Sequence, residues 1–282
     1  MSKCSNSGIS VVLICLNDAH SIADMIQSLQ NSSYKELIIV DGGSSDDTVK
    51  IAKQFTSSVY SSERGMLNQT LFGLEKTTGE YIFLAECDHI YPEDFLDELL
   101  LELKNSKFDG IQGTLAYHRK DNFFARGHGL LLAVHNRKKG ARSIIACPQL
   151  WRKKPIYKLF SNLTSGQGFS FDTQRAEVCA KLDLKVGVGY TVALEGGYID
   201  YKKFKSRHRN YGFGDYEFYL NNKQNWGIFR KIKSITHVAK NYWIKYPFLS
   251  LKSENPILAI PYFFLVGIYR YYYWFSKIIS KR

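Results

Sequence analysis

The first half of the chain alternates between short, continuous apolar runs and stretches whose apolar residues recur at helical spacing. The apolar runs at 9–16, 37–40 and 82–85 are typical of strands that are buried on both faces of a sheet. Between the first two runs, apolar residues over 22–29 fall on one face of a helix. Alternating strands and helices with short links predict an α/β fold with a doubly wound, mainly parallel sheet flanked by helices.

The same pattern predicts further elements up to residue 117. These are a short helix after Asp46 or Asp47, a strand at 59–60, a helix at 66–77 that Gly79 ends, a helix after Pro92 and a strand at 110–117. After Arg119 the pattern weakens, and we expect 119–160 to be basic and irregular. A loop at 166–173, a helix at 174–182 and an apolar strand at 186–193 complete this part of the chain.

The end of the chain is aromatic and carries an uncharged run over 255–269. This run is shorter than the roughly 20 apolar residues that span a bilayer, and it contains two prolines. Together with the tyrosines and the tryptophan that follow, it is typical of an amphipathic element at a membrane interface. The alternative is a helix over 256–276 that packs on the protein core, and the sequence leaves both readings open.

Charge is distributed very unevenly along the 282 residues. The net charge is +12, and the whole excess lies in 200–282, where 16 Lys and Arg face four acidic residues. Such a basic region suits an anionic surface, either a membrane leaflet or a nucleic acid. The five cysteines show no paired spacing, and the chain opens on a polar segment. We therefore expect reduced cysteines in a cytoplasmic protein.

Acidic side chains follow two of the predicted strands. Glu86 and Asp88 come directly after the run at 82–85, and Asp41 comes directly after the run at 37–40. Ligands of parallel sheets bind at the carboxyl ends of the strands. Carboxylates there can hold a hard divalent cation, which is commonly shared with substrate phosphates. The sequence therefore predicts a metal-assisted nucleotide site.

Four motifs in register make the chain similar to a known family. They are Asp41-Gly42-Gly43-Ser44-Ser45-Asp46, Glu63-Arg64-Gly65, Thr78-Gly79-Glu80-Tyr81-Ile82 and Glu86-Cys87-Asp88. Over about 8–118 the sequence resembles the family 2 glycosyltransferases, which have the GT-A fold. The resemblance implies transfer of a hexose from a nucleotide diphosphate sugar, a UDP-sugar above all, with inversion and with Mn²⁺ or Mg²⁺.

The resemblance also implies roles for individual residues. Asp41 matches the residue that contacts the donor base, and the main chain at Leu16 and Asn17 matches the first-strand end that lines the nucleotide pocket. Glu63 matches a further polar contact to the nucleotide. Glu86 and Asp88 match the metal-binding DxD motif, with Glu in place of the first Asp. Asp88 is then the better direct ligand, while Glu86 acts directly, through water or on a ribose hydroxyl.

The catalytic base is left between two candidates. Inversion needs a carboxylate that takes the proton of the acceptor hydroxyl. Asp172 fits the family's acidic motif by spacing, although Phe171 replaces its Glu, and Asp215 in Gly214-Asp215-Tyr216-Glu217 is the rival. A metal-binding histidine, usual further along the chain in the family, is not evident, because Glu195 stands there. His89 shows no metal-ligand spacing in the sequence.

The sequence thus predicts a GT-A domain over 1–240 and a membrane-associating region over 241–282. Within the domain, 8–118 would bind the nucleotide sugar and 119–240 the acceptor. We expect a lipid-linked or saccharide acceptor, a role in cell-surface polysaccharide or glycolipid synthesis, and a peripheral position at the inner face of the membrane. The alternatives are a catalytically inactive GT-A-like protein that binds partners, and a basic nucleic-acid-binding protein. The sequence contains no known nucleic-acid-binding motif, so we expect no nucleic-acid partner.

Overall fold

The computed structural model describes residues 7–143, 145–164, 171–253 and 255–279. The strands are Ile9–Cys15 (β1), Glu36–Asp41 (β2), Val59–Ser61 (β3), Tyr81–Ala85 (β4), His89–Ile90 (β5), Gly110–Ala116 (β6), Gly140–Arg142 (β7), Gln149–Arg152 (β8) and Val186–Glu195 (β9). The α-helices are Ile22–Leu29 (α1), Thr48–Ala52 (α2), Met66–Glu75 (α3), Phe95–Lys104 (α4), Phe123–His135 (α5), Lys153–Phe160 (α6), Phe171–Lys181 (α7), Tyr201–Asn222 (α8), Ile228–Ala239 (α9), Tyr246–Ser250 (α10) and Pro256–Ile279 (α11).

The chain divides into two compact units. The first comprises the described residues within Met1–Ala116, Lys138–Ser165 and Asp172–Gly197, and it contains the whole sheet. The second contains α5 and α8 to α11. These two units are defined by the contacts within each of them. The predicted boundaries at residues 118 and 240 divide the chain by function instead, and they remain a prediction.

The sheet in the first unit has a parallel half and a mixed half. Its order is β3-β2-β1-β4-β8-β6-β9-β5, and β7 pairs with β9. β1 lies between β2 and β4 and is parallel to both, and β3 is parallel to β2. The carboxyl ends of these four strands therefore lie along one edge of the sheet. This arrangement confirms the predicted α/β fold with a mainly parallel sheet.

The continuous apolar runs form the interior of the first unit. Almost every residue of β1 and β4 is buried, because helices cover both faces of a parallel sheet. α1 buries Ile22, Met25, Ile26 and Leu29, which are the residues that the helical spacing selects. α3 approaches the sheet closely at Gly73, where a Cβ atom would lie 2.6 Å from a methyl group of Val12.

The prediction of an irregular segment at 119–160 is wrong. This segment contains α5, β7, β8 and α6, and β8 pairs with β4 and β6 in the interior of the sheet. Trp151 in β8 is almost completely buried, and its Nε1 donates a hydrogen bond to Gln149 Oε1 at 2.8 Å. A run of four residues that contains Gln and Arg carries too weak a hydrophobic pattern to reveal an interior strand.

The sequence predicts that Gly79 ends a helix, and this prediction is wrong. α3 stops at Glu75, and Lys76 is its C-cap. Gly79 instead lies against the start of β1, where its N–H donates to Ser10 Oγ at 2.8 Å. An added Cβ atom would lie 2.4 Å from the Gly8 carbonyl oxygen, so this close backbone approach requires glycine.

The second unit is a set of helices held together largely by aromatic side chains. Its core contains Phe204 of α8 and Tyr262, Phe263 and Val266 of α11. Gly127 in α5 leaves room for the Tyr262 ring, because a Cβ atom there would lie 2.1 Å from Tyr262 Cδ2. Within the described residues, no helix is both long and apolar enough to cross a membrane.

Two smaller predictions concern residues of the first unit. Cys15, Cys87, Cys147 and Cys179 carry free thiols, as expected. α7 and β9 follow the predicted helix at 174–182 and the predicted strand at 186–193 closely. Of the loop predicted at 166–173, residues 166–170 lie outside the described residues, and the prediction is wrong for 171–173, which form the first turn of α7.

Candidate functional site

The ends of β1 and β2 are joined by a network of polar turns. Asn17, which follows β1, has a positive φ of 58°, and its N–H donates to Ser44 Oγ at 2.8 Å. Its side-chain Oδ1 in turn accepts from the Ser45 N–H at 2.8 Å. Asn is one of the few residues that adopts this left-handed conformation readily. The predicted nucleotide-side segments Leu16–Asn17 and 41–46 are thus fixed against each other.

Asp41 lies at the end of β2 and is almost completely buried. Its Oδ2 accepts hydrogen bonds from the N–H groups of Gly43 and Ser44, both at 2.9 Å. Its Oδ1 accepts from Ser44 Oγ at 2.5 Å. The Cys15 thiol also donates to Oδ1, at 3.8 Å, so Asp41 shapes the turn after β2 with both of its oxygens.

A buried glutamine connects this turn to α3. Gln69 Nε2 donates to the main-chain carbonyls of Cys15 and Val40, at 3.0 and 2.9 Å. These carbonyls lie near the carboxyl ends of β1 and β2, and the Cys15 carbonyl also accepts from the Gly42 N–H at 3.0 Å. Gln69 thus holds the two strand ends at a fixed spacing. Glu63 lies in the exposed loop between β3 and α3.

Glu86, Asp88 and His89 form a cluster at the end of β4. One ligand atom of each lies within 4.8 Å of the others. His89 Nε2 is 3.7 Å from Glu86 Oε2 and 3.7 Å from Asp88 Oδ1. The two carboxylate side chains are 44% and 39% exposed, whereas the imidazole is only 3% exposed. Two accessible carboxylates beside a fixed imidazole form a donor set that suits a divalent cation.

Two backbone features hold this cluster in place. β5 pairs with β9 in a register that sets His89 opposite Glu195. The Gly196 N–H donates to the Asp88 carbonyl at 2.7 Å. The other ring nitrogen of His89, Nδ1, lies 3.5 Å from the hydroxyl of the buried Tyr91. β9 therefore fixes the main chain of the cluster, and Tyr91 contacts the far side of the imidazole.

The electrostatics of the cluster favour a cation. Desolvation is the main cause that raises the pKa of Glu86 above its ordinary value. His89 opposes this rise, whereas the negative charges of Asp88 and Asp172 add to it. Carboxylates gathered in this way repel one another, and a bound cation removes that repulsion.

Asp172 lies in the first turn of α7, within electrostatic reach of Glu86. Its Oδ1 accepts a hydrogen bond from Nη2 of the buried Arg175, and the side chain of Asp172 is 42% exposed. The guanidinium fixes one carboxylate oxygen by a charge-assisted hydrogen bond. Asp172 is therefore a positioned, accessible carboxylate in the same unit as the acidic cluster.

Asp215 has a different environment, in the middle of α8 in the second unit. Its Oδ2 accepts from Arg270 Nη2 and Nε, at 2.6 and 3.0 Å, and its Oδ1 is 3.5 Å from His237 Nε2. Burial alone would raise the pKa of Asp215, but Arg270 and His237 lower it below its ordinary value. Asp215 is thus a buried partner in an ion pair. The prediction that it precedes a helix is wrong, because it lies within α8.

The sequence reading of His89 as a residue without metal-ligand spacing is wrong. In the sequence His89 is adjacent to Asp88, and adjacent residues of a regular strand point to opposite faces. The chain turns between β4 and β5, where the His89 N–H donates to the Glu86 carbonyl at 3.3 Å, and this turn brings the side chains together. The position of this histidine directly after Glu86-Cys87-Asp88 was the sequence signal that could have identified it. Glu195 is buried and lies opposite His89 in the pairing of β5 with β9.

Parallel strands in the order 3-2-1-4, with an acidic cluster at the end of β4, define the GT-A class of glycosyltransferase folds. Residues 10–162 match the model of the family described as Glycosyl transferase family 2. The chain belongs to this family.

Similar structures and relatives agree with this assignment. The mannosyltransferase PcManGT from Pyrobaculum calidifontis, in complex with GDP-Man and Mn²⁺, has a TM-score of 0.59 at 15% identity, over 92% of this chain and 73% of that chain. Glucosyl-3-phosphoglycerate synthase from Mycobacterium tuberculosis, in complex with Mg²⁺ and UDP, has a TM-score of 0.50 at 19% identity, over 68% of this chain and 72% of that chain. At these identities the likeness concerns the fold.

A curated relative is the poly-beta-1,6-N-acetyl-D-glucosamine synthase of Staphylococcus epidermidis. It is 26% identical over 128 residues, which are 42% of this chain and 31% of the relative. The match thus spans about a third of the length of that relative.

Proposed function

We propose that this protein transfers a hexose from a nucleotide diphosphate sugar to a saccharide or lipid-linked acceptor, with inversion at the anomeric carbon. The observation that carries this proposal is the cluster of Glu86, Asp88 and His89 at the end of β4. The polar turns after β1 and β2 lie at the same edge of the sheet, where ligands of such folds bind. The polysaccharide synthase among the relatives supports a role in cell-surface polysaccharide or glycolipid synthesis.

The donor set of the cluster fits Mn²⁺ or Mg²⁺. Asp88 would be a direct ligand, Glu86 a direct or water-mediated ligand, and His89 a ligand or a support for both carboxylates. When bound, such a cation acts as a Lewis acid that stabilises the charge on the departing diphosphate. The Mn²⁺ and Mg²⁺ in the complexes of the two similar structures support this assignment.

The turns after β1 and β2 would bind the nucleoside. The main-chain carbonyls at Leu16 and Asn17 and the carboxylate of Asp41 would contact the base and the ribose. Glu63, in the exposed loop before α3, would add a polar contact. A UDP-sugar is the donor we favour. The similar structures contain either UDP or GDP-Man, so the experiment below compares donors with a uracil and with a guanine base.

Asp172 would act as the general base. The acceptor oxygen forms a bond to the anomeric carbon, the bond from that carbon to the diphosphate breaks, and the acceptor proton passes to Asp172. Arg175 holds Oδ1 of Asp172, and no described residue donates a hydrogen bond to Oδ2, which is therefore open to an acceptor hydroxyl. Asp215 is the weaker candidate because Arg270 occupies its Oδ2 and His237 lies beside its Oδ1.

We also propose a peripheral position at the inner face of the membrane, mediated by 241–282. The basic excess of 200–282 and the aromatic residues of α11 support it. A lipid-linked acceptor would then be presented at the surface where the enzyme resides.

Donor hydrolysis and transfer test the proposal. We expect the purified protein to release UDP or GDP from UDP-glucose, UDP-N-acetylglucosamine or GDP-mannose in the presence of Mn²⁺. Asp88→Asn should reduce this release by about a hundredfold, because the charge of the departing diphosphate is then poorly stabilised. Asp24→Asn, an exposed carboxylate in α1, is the matched control and should leave the rate unchanged.

Asp172→Asn separates binding from transfer. The variant should keep the donor affinity of the wild type and lose transfer to an acceptor sugar. If no donor is turned over under any condition, the protein is a partner-binding relative of the enzymes and the proposal is wrong. If Asp172→Asn transfers normally, another group is the base.

A further inference from the structure

The solvent-exposed face of α11 is apolar along its whole length. The residues on this face, which we call the α11 stripe, are Ile257, Pro261, Phe264, Ile268, Tyr272, Phe275 and Ile279. They recur every three or four residues and therefore lie in one row along the helix. At 1.5 Å per residue the row is about 33 Å long. None of its members carries a charge.

Exposure of this apolar stripe to water is unfavourable. The opposite face of α11 is also apolar, and its residues Tyr262, Phe263 and Val266 pack in the core of the second unit. A helix at the surface of a protein normally presents charged and polar residues to the solvent. Ile257 is 86% exposed and Ile279 is 74% exposed. A continuous apolar row of this kind indicates a surface that binds an apolar partner.

A basic recess lies beside the stripe in the same unit. Its volume is about 480 Å³, and its lining consists of Tyr201, Lys202, Lys205, Ser206 and Arg209 of α8 together with Tyr273 of α11. The three cations are spaced at i, i+3 and i+7, so they lie on one face of α8. Within the described part of the chain, none of the three is within 4.0 Å of a carboxylate oxygen. Three exposed cations with hydroxyl groups around them suit a phosphate.

The stripe and the recess meet at two neighbouring tyrosines. Tyr272 belongs to the stripe and Tyr273 lines the recess, and their ring centroids are 5.0 Å apart. The recess is fixed to α11 by a hydrogen bond of 2.8 Å between the hydroxyls of Tyr201 and Tyr269. Tyrosine is enriched where one end of a side chain is in an apolar layer and the other end is wet.

We propose that the α11 stripe and the α8 recess together form a docking surface for an anionic phospholipid bilayer. α11 would lie in the plane of the membrane, with the stripe at the boundary between headgroups and acyl chains. Lys202, Lys205 and Arg209 would then bind the phosphate of a lipid headgroup. This inference rests on the proposed peripheral position of the protein. It extends the proposed membrane-binding surface beyond 241–282 to include α8.

Charge argues for lipid and against a second copy of the chain. The residues 200–282 contain 16 Lys and Arg and only four acidic residues. Two such surfaces would repel each other on self-association, whereas an anionic leaflet attracts each cation near it by about 1 kcal/mol.

Vesicle co-sedimentation of the full chain tests the proposal. We expect the protein to bind phosphatidylcholine vesicles that contain phosphatidylglycerol, and to bind pure phosphatidylcholine vesicles at least about tenfold more weakly. Binding to the anionic vesicles should decrease as the salt concentration rises.

Two variants and two matched controls assign the surface. The combined change Lys202→Ala, Lys205→Ala, Arg209→Ala should weaken binding to anionic vesicles by at least about tenfold. Phe264→Ser with Ile268→Ser should do the same through the loss of apolar contact. The controls are Lys53→Ala, Lys107→Ala, Lys154→Ala for charge and Leu101→Ser with Tyr190→Ser for exposed apolar area, all in the first unit. Both controls should bind like the wild type.

The outcomes distinguish this inference from the proposed function. Donor hydrolysis measured without vesicles should be the same in all four variants, and circular dichroism with thermal unfolding verifies that the second unit of each folds like that of the wild type. If the wild type turns over donor but does not bind anionic vesicles, or if the controls weaken binding as much as the α8 and α11 variants do, the lipid surface is wrong and the function stands. If the wild type is a dimer that Phe264→Ser with Ile268→Ser makes monomeric, a second copy covers the stripe and the inference is overturned.

Discussion

Each acidic residue of the candidate site has a local environment that fits a different task. Asp41 is buried and its carboxylate organises a turn. Glu86 and Asp88 are partly exposed and share one imidazole. Asp172 is held by a guanidinium at one oxygen only. Residue type alone does not separate these roles, because all four are carboxylates near the ends of predicted strands or helices.

His89 provides a prediction at the residue scale. Its Nε2 lies 3.7 Å from an oxygen of each carboxylate, so a cation bound by both carboxylates would lie beside the imidazole. We expect His89→Gln to weaken Mn²⁺ binding at least about tenfold, the size of effect seen when a group that supports metal ligands is removed. The measurement is a Mn²⁺ titration followed by electron paramagnetic resonance.

His20→Gln is the matched control for that titration, because His20 is an exposed histidine in the same unit. It should bind Mn²⁺ like the wild type. Equal Mn²⁺ affinity in His89→Gln and the wild type would show that the imidazole has no part in the site.

At the scale of elements, the sequence was sufficient for the parallel half of the sheet. β1, β2 and β4 are buried on both faces, so their residues form continuous apolar runs that are easy to recognise. Their order along the chain, with helices between them, predicted one sheet edge that carries Asp41, Glu86 and Asp88. This edge of the candidate site could therefore be predicted.

The segment at 119–160 could not be predicted in this way. β8 is short and polar at two of its four positions, and only its pairing with β4 and β6 makes it a strand. α5 contains Gly127 and Gly129, which favour a loop when read alone. Gly127 is accounted for only by the ring of Tyr262, which is 135 positions further along the chain. Contacts over such sequence distances leave no local pattern.

The ion pair between α8 and α11 gives a prediction at the element scale. Asp215→Asn leaves the buried charge of Arg270 without its carboxylate partner. We expect the free energy of unfolding at pH 7 to decrease by about 3 kcal/mol, the lower end of the range for a broken buried pair. Chemical denaturation followed by circular dichroism measures it, and Asp121→Asn, an exposed carboxylate in the same unit, should change little.

The pH dependence of stability follows from the same pair. The folded state lowers the pKa of Asp215, so the ionised form contributes stability above the ordinary pKa of about 3.9 and loses it as the pH falls through the lower folded value. Asp215→Asn should therefore flatten the loss of stability below about pH 4. If the variant is as stable as the wild type but has lost sugar transfer, Asp215 is a catalytic residue and Asp172 is not the base.

At the scale of the whole molecule, chemistry and charge belong to different parts of the chain. The neutral residues 1–199 contain the sheet and the acidic cluster, and the basic excess lies in 200–282. The composition alone predicted an anionic partner for the second part. It could not select α8 as the carrier of a basic recess, because α8 has no clear amphipathic pattern, and α11 determines which of its residues are exposed.

We propose that Asp88 holds a cation that is shared with the diphosphate of a sugar nucleotide. Anomalous diffraction at the manganese edge, from crystals soaked with MnCl₂ and UDP, tests it most directly. We predict a single strong peak within coordination distance of an Asp88 carboxylate oxygen and of the UDP phosphates, beside Glu86 and His89. UDP bound in the crystal with the manganese peak elsewhere, or with Asp88 turned away from the manganese, would show that Asp88 does not hold the shared cation.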